Sequence, residues 1–230
     1  MFRRFLKLEW KQYFRSSYWQ KGIALKIIMG FFALYMMASF LVLGVGSFFL
    51  IRKAMPGSDP LQVVNSFLIF AIIGDLIFRY LMQKMPVMNV KPLLVLPIKK
   101  NKLVHYVLGK SMFSAFNIFS LFFYIPFTVV LIGQDYSVYG ALGWLFTMIF
   151  VTQCANFLNF IINKKNVAFW TLAVLLMGTI ALQYFNIYDI TIHSQSVFDG
   201  IFANPIYVSV PFTLLVILYI INQKILKQQL

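Results

Sequence analysis

The chain has 230 residues, of which 61% are hydrophobic and 11% charged, where soluble domains run at about 45–50% and about 25%. With a mean hydropathy of +0.81 it has too little polar side chain to cover a water-soluble globule. A soluble enzyme, a disordered tail and a disulfide scaffold are excluded, and the bilayer becomes part of the solvent. The net charge of +14, from 20 Lys and Arg against 6 Asp and Glu, then reads as membrane topology rather than as a nucleic-acid footprint.

Residues 1–26 are too charged for a cleavable signal and contain no apolar core segment. They predict an amphipathic helix in the membrane interface, with Arg4, Lys7, Lys11 and Arg15 on one stripe and Phe2, Phe5, Leu6 and Tyr13 opposite. Glu9 falls on the apolar side. Either it snorkels or pairs with a local basic residue, or this face packs on protein and Glu9 meets a Lys or Arg of a neighbouring cytoplasmic element.

Six runs then approach the roughly 20 apolar residues that a spanning helix needs: 27–51, 63–82, 112–132, 139–162, 167–185 and 204–225. None alternates polar with apolar as a barrel strand must. The expectation is an all-α membrane protein, a single six-span domain over 1–230. With both termini cytoplasmic, every Lys and Arg except Arg52 and Lys53 falls inside, and Asp59, Asp135, Asp189 and Asp199 fall outside. That asymmetry sets the orientation and implies a cell (inner) membrane.

Within the second run, Asp75 and Arg79 lie four residues apart on one helical face. They are either a stabilising pair inside the bundle or a latch that opens and closes. The link 84–111 is punctuated by Pro86, Pro92 and Pro97, so the second span cannot simply continue through it. Leu93, Leu94, Val95 and Leu96 form a short apolar run. After Pro97, residues 98–108 predict a helix that is basic at Lys99, Lys100 and Lys102 and apolar at Leu103, Val104, Val107 and Leu108. Such an apolar and basic knob suits either a docked protein or lipid head groups.

In the fourth run Thr152, Asn156, Asn159 and Asn163 share one stripe, for interhelical hydrogen bonds or for a translocation surface. Pro126 and Pro211 are expected to loosen their helices. His105 in the link and His193 in an outer loop share no face with a second ligand, and Cys154 has no nearby base, so neither a metal centre, a cofactor nor a catalytic site is expected. Gly109-Lys110-Ser111 ends like a nucleotide-binding loop, but the first glycine of that motif would fall at Val104.

The run Leu93-Leu94-Val95-Leu96-Pro97-Ile98-Lys99-Lys100-Asn101-Lys102-Leu103-Val104, followed by Gly109-Lys110, resembles the coupling-helix segment of type-2 ABC exporter permeases. Leu8-Glu9-Trp10-Lys11 and Arg15-Ser16 resemble that family's interfacial helix, and six spans with cytoplasmic ends match its architecture. The chain departs from the pattern where Lys99-Lys100 replaces a Ser-Arg type pair and where Asn101 replaces an acidic residue. The resemblance implies a permease subunit driven by a separate ABC ATPase. Leu93, Leu94, Leu96, Pro97, Ile98, Lys99, Lys100, Lys102 and Leu103 would make the coupling contact, and a second six-span half would complete the transporter, either as a homodimer or as the continuation of a longer chain. A non-transporting membrane scaffold is the alternative.

Overall fold

The computed structural model describes residue 11 and residues 23–83, 100–162, 166–185 and 187–229; these are helical apart from short turns, with no strand among them. Lys11 is helical and exposed, whereas Glu9, Arg15, Asn163 and the coupling residues Leu93, Leu94, Leu96, Pro97, Ile98 and Lys99 lie outside the described residues. The helices are α1 (Ile23–Ala54), α2 (Pro60–Met82), α3 (Lys100–Ser111), α4 (Ala115–Gly133), α5 (Val138–Ile162), α6 (Asn166–Tyr184), α7 (Ile190–Ala203) and α8 (Ser209–Gln229). Each of the six expected spans coincides with a helix. Among the described residues five stretches are long and apolar enough to cross a membrane, and Trp170–Tyr184 within α6 is a shorter apolar one. The protein is an all-α integral membrane protein.

Local chemistry sets the helix ends. With 32 residues, α1 is about 48 Å long and exceeds the roughly 30 Å hydrocarbon core. No proline interrupts it until Pro56. Asp59 caps α2 by accepting from the Leu61 N–H at 2.9 Å, and Pro60 follows in the first turn, where its missing N–H costs nothing. Pro126 sits inside α4 as expected. Pro211 does not loosen α8: it is the third residue of that helix, where the backbone N–H has no intrahelical partner to lose.

The spans are unequal in burial. Half of the apolar window of α5 is buried inside the protein, against 6% for α1. Accordingly α5 is the central post, touching α2, α4, α7 and α8, while α1 packs chiefly on α4. Close approaches hold this arrangement. A Cβ on Gly44 of α1 would stand 2.5 Å from the Phe123 carbonyl oxygen of α4, and one on Gly140 of α5 would stand 2.6 Å from that of Phe202 in α7. Small residues let membrane helices pack backbone to backbone in this way.

The segment 190–203, expected as an outer loop carrying His193 and Asp199, is instead the helix α7, packed on α2 and α5. Its 14 residues, about 21 Å, are too few to span, so a search for long apolar runs passes over it. It nevertheless buries Ser194, Phe198 and Ile201 along one side, a helical spacing.

Candidate functional site

The chain has two polar ends, one marked by α3 and the other by α7. At the first, α3 is docked rather than projecting. Leu103, Val104, Tyr106, Val107 and Leu108 are all at or below 2% exposure and share a cluster with Phe157 and Phe160 of α5 and with Leu215, Leu218 and Leu226 of α8. The apolar face foreseen for a partner, Leu103 included, is therefore taken up by the chain's own core. Burying those side chains is worth about 1.5–3 kcal/mol each, so the face stays where it is. Lys100 and Lys102 remain exposed. His105 is exposed on the same helix, its Nδ1 facing the Tyr219 hydroxyl and its Nε2 3.1 Å from Gln223 Nε2. Val104 to Ser111 are all helical and end α3 instead of opening a helix, so no phosphate-cradling loop stands at that motif.

Beneath the C-terminus of α3 lies a buried network. Arg79 Nε donates to Asp75 Oδ2 at 2.6 Å and Arg79 Nη1 to Asn117 Oδ1 at 2.7 Å. The guanidinium carbon stands 5.8 Å from the centre of the Phe116 ring, a cation–π contact. Asn117, in the first turn of α4, donates in turn to the carbonyls of Met112 and Ser111 at 2.9 and 3.3 Å. These carbonyls stand where α3 ends, and that of Ser111 also accepts from the Ser114 N–H at 3.1 Å. Gln153 of α5 donates to the Met112 carbonyl at 3.1 Å. Next to it, Gln83 Nε2 donates to Asn156 Oδ1 at 2.8 Å, and Asn156 Nδ2 donates to Ser111 Oγ at 3.1 Å. Asn159 Nδ2 reaches the Arg79 carbonyl at 3.5 Å and Gln83 Oε1 at 3.4 Å. One connected set of side chains thus ties the joint between α3 and α4 to α2 and α5.

At the other end the ties around Asn65 are short. Asn65 of α2 donates to Asp199 Oδ1 at 2.7 Å and accepts from the Trp144 indole at 2.8 Å. The Ser194 hydroxyl donates to the Asn65 carbonyl at 2.6 Å and its oxygen accepts from the Ile69 N–H. Tyr136 donates to Asp59 at 2.6 Å, and burial together with that bond holds its phenol above the ordinary range. The Thr191 hydroxyl and N–H donate to the Asp189 cap of α7 and hold its carboxyl below the usual value.

The structure thus brings together four residues read from the sequence, Asp75, Arg79, Asn156 and Asn159, and adds Gln83, Ser111, Asn117 and Gln153. A signal for Asn117 was present. Asn117, Ser120, Tyr124 and Thr128 form a polar stripe along α4 at helical spacing. Among the described residues no three His, Cys, Asp or Glu side chains gather as a metal site would require. In comparison with known proteins, residues 9–230 match the model of a family described as a family of unknown function (DUF5687). No curated protein and no solved structure matches.

Proposed function

The chain belongs to the DUF5687 family, and we propose that it is the transmembrane permease subunit of an ATP-binding-cassette exporter, driven by a separate ATPase. The observation that carries this reading is the seating of α3. A short helix between the second and third spans exposes Lys100 and Lys102 at its start, buries its apolar face on α5 and α8, and is bonded at its end to α4 and α5, with Asn117 of α4 bonded in turn to Arg79 of α2. A push on such a helix is delivered to several spans at once, because packed cores move as bodies rather than deform smoothly. The resemblance of 93–104 to a coupling helix supports the same reading. In it the lysines, not Leu103, supply the contact made by α3, the α3 end faces the cytoplasm of a cell whose inner membrane holds the protein, and a second six-span half completes the transporter.

The test is co-expression with candidate ABC ATPases. Wild type should co-purify with one and stimulate its turnover, and Lys100→Glu with Lys102→Glu should lose both while inserting and melting as wild type, both side chains being exposed. An unchanged complex in the double variant, or the absence of any ATPase from wild-type preparations, overturns the reading in favour of a scaffold.

A further inference from the structure

Between α1 and α2, closed by α4 and α5, lies a cavity of about 640 Å3, within the roughly 300–1,000 Å3 of small-ligand sites. It forms because α1 leans on α4 at Gly44 rather than lying flat on α2. Its wall on α2 runs from Val63 to Phe78, about 22 Å of helix axis, so the space is elongated. The lining is mostly apolar, and its polar members, Asp75, Ser120, Tyr124 and Thr152, belong to the half nearer α3.

Apart from the Tyr124 phenol, which can donate as well as accept, the polar groups of this lining present acceptors. The Ser120 hydroxyl already donates to the Phe116 carbonyl at 3.1 Å and that of Thr152 to the Met148 carbonyl at 2.7 Å, so each presents lone pairs. Asp75 is bonded to Arg79 through Oδ2, and among the described residues no donor reaches Oδ1. A ligand that brings a donor satisfies Asp75 Oδ1, and a hydroxyl can also accept from Tyr124. Charge narrows the choice further. Arg79 already balances Asp75, so an ammonium would leave excess positive charge in a low-dielectric site, and a carboxylate would face Asp75. A neutral hydroxyl does neither.

We propose that this cavity binds a slender neutral amphiphile from the bilayer, a long-chain or isoprenoid alcohol. Its hydroxyl donates to Asp75 Oδ1 and its apolar body lies along α2. The site is independent of the transport reading and stands whether or not an ATPase is found.

The test uses the full chain in nanodiscs and a long-chain alcohol carrying a diazirine, alongside the matched fatty acid and alkylamine. Gly74 lines the cavity, and a Cβ there meets nothing within 4 Å, so a side chain can start into the space and Gly74→Leu serves as the plug. Wild type should show saturable labelling by the alcohol alone, mapping to α2, and the plug should cut it about tenfold or more, as a few methylenes in an apolar pocket can. If Gly74→Leu does not fold, Ala71→Leu on the same wall takes its place. Equal labelling by all three head groups, preference for the amine or the acid, or alcohol labelling that survives a plug would each overturn the proposal.

Discussion

The two polar ends of the bundle are built on opposite plans. At the α7 end, Asn65 satisfies the Trp144 indole, Asp199 and Ser194 together, and the cap of α7 is made locally by Asp189. At the α3 end a longer chain of amides surrounds an ion pair, yet among the described residues the buried Arg79 Nη2 and Asn159 Oδ1 have no partner. The Asn65 cluster is held by short bonds and fixes one arrangement, although Gln183 Oε1 near Asp189 is also buried without a partner; a charged network left partly unpaired has less to lose by changing. The difference teaches that the Asn65 cluster at the α7 end is a lock and the α3 end a joint.

The largest expected effect comes from breaking the joint. Arg79→Leu leaves Asp75 without its cation and Asn117 without a donor, and should cost about 3 kcal/mol, the low end for a broken buried pair because Asp75 is partly exposed. Thermal unfolding in detergent measures it, and Asp75→Leu combined with Arg79→Leu should recover much of the loss. No recovery would mean that the charges do more than balance one another.

Breaking the lock should cost somewhat less. Asn65→Leu strands the Trp144 indole and Asp199, at about 2 kcal/mol, and should raise amide exchange throughout α7 while leaving α3 protected. If both ends loosen together, they are a single cooperative unit and the comparison fails.

Asn117→Ala should cost about 1 kcal/mol but act locally, removing one acceptor from Arg79 and one donor each from the Ser111 and Met112 carbonyls, which keep the Ser114 N–H and Gln153. Hydrogen exchange at the start of α4 and cysteine cross-linking between α3 and α8 would register it, and an effect on α7 equal to that on α3 would contradict it. The smallest effect is on pH. Asp189 has a lowered carboxyl pKa because it accepts from Thr191, so its cap contributes above the ordinary aspartate range and is lost as pH falls through the folded value. Fraying of the α7 start below about pH 4 should follow, and should vanish in Asp189→Asn, whose side chain still caps but does not titrate.

The helical character, the spans and the Asp75–Arg79 pair were legible because each depends on local order: apolar run length, absence of alternation, and a four-residue offset on one face. The polar stripe of α5 was legible for the same reason, although its partners were not. Asn117 and Gln153 are separated by 36 residues yet meet at 3.1 Å, and nothing in either neighbourhood points to the other. For α3 the apolar stripe was readable and its destination was not, since Leu103 and Val107 face Phe157 and Leu218 from distant parts of the chain. A stripe says that a face must leave water, and a partner protein, the lipid or the chain's own core would each satisfy it.

By itself, then, the sequence determined what must leave water and in what periodic form, because hydrophobic run length and helical repeat are properties of neighbouring residues. Tertiary structure alone decided that α3 lies on α5 and α8, that 190–203 folds back on α2, and that amides from α4 and α5 converge on one arginine of α2. Those outcomes rest on contacts between helices far apart in the chain, where shape and backbone approach at positions such as Gly44 and Gly140 select one packing among many that satisfy the same pattern.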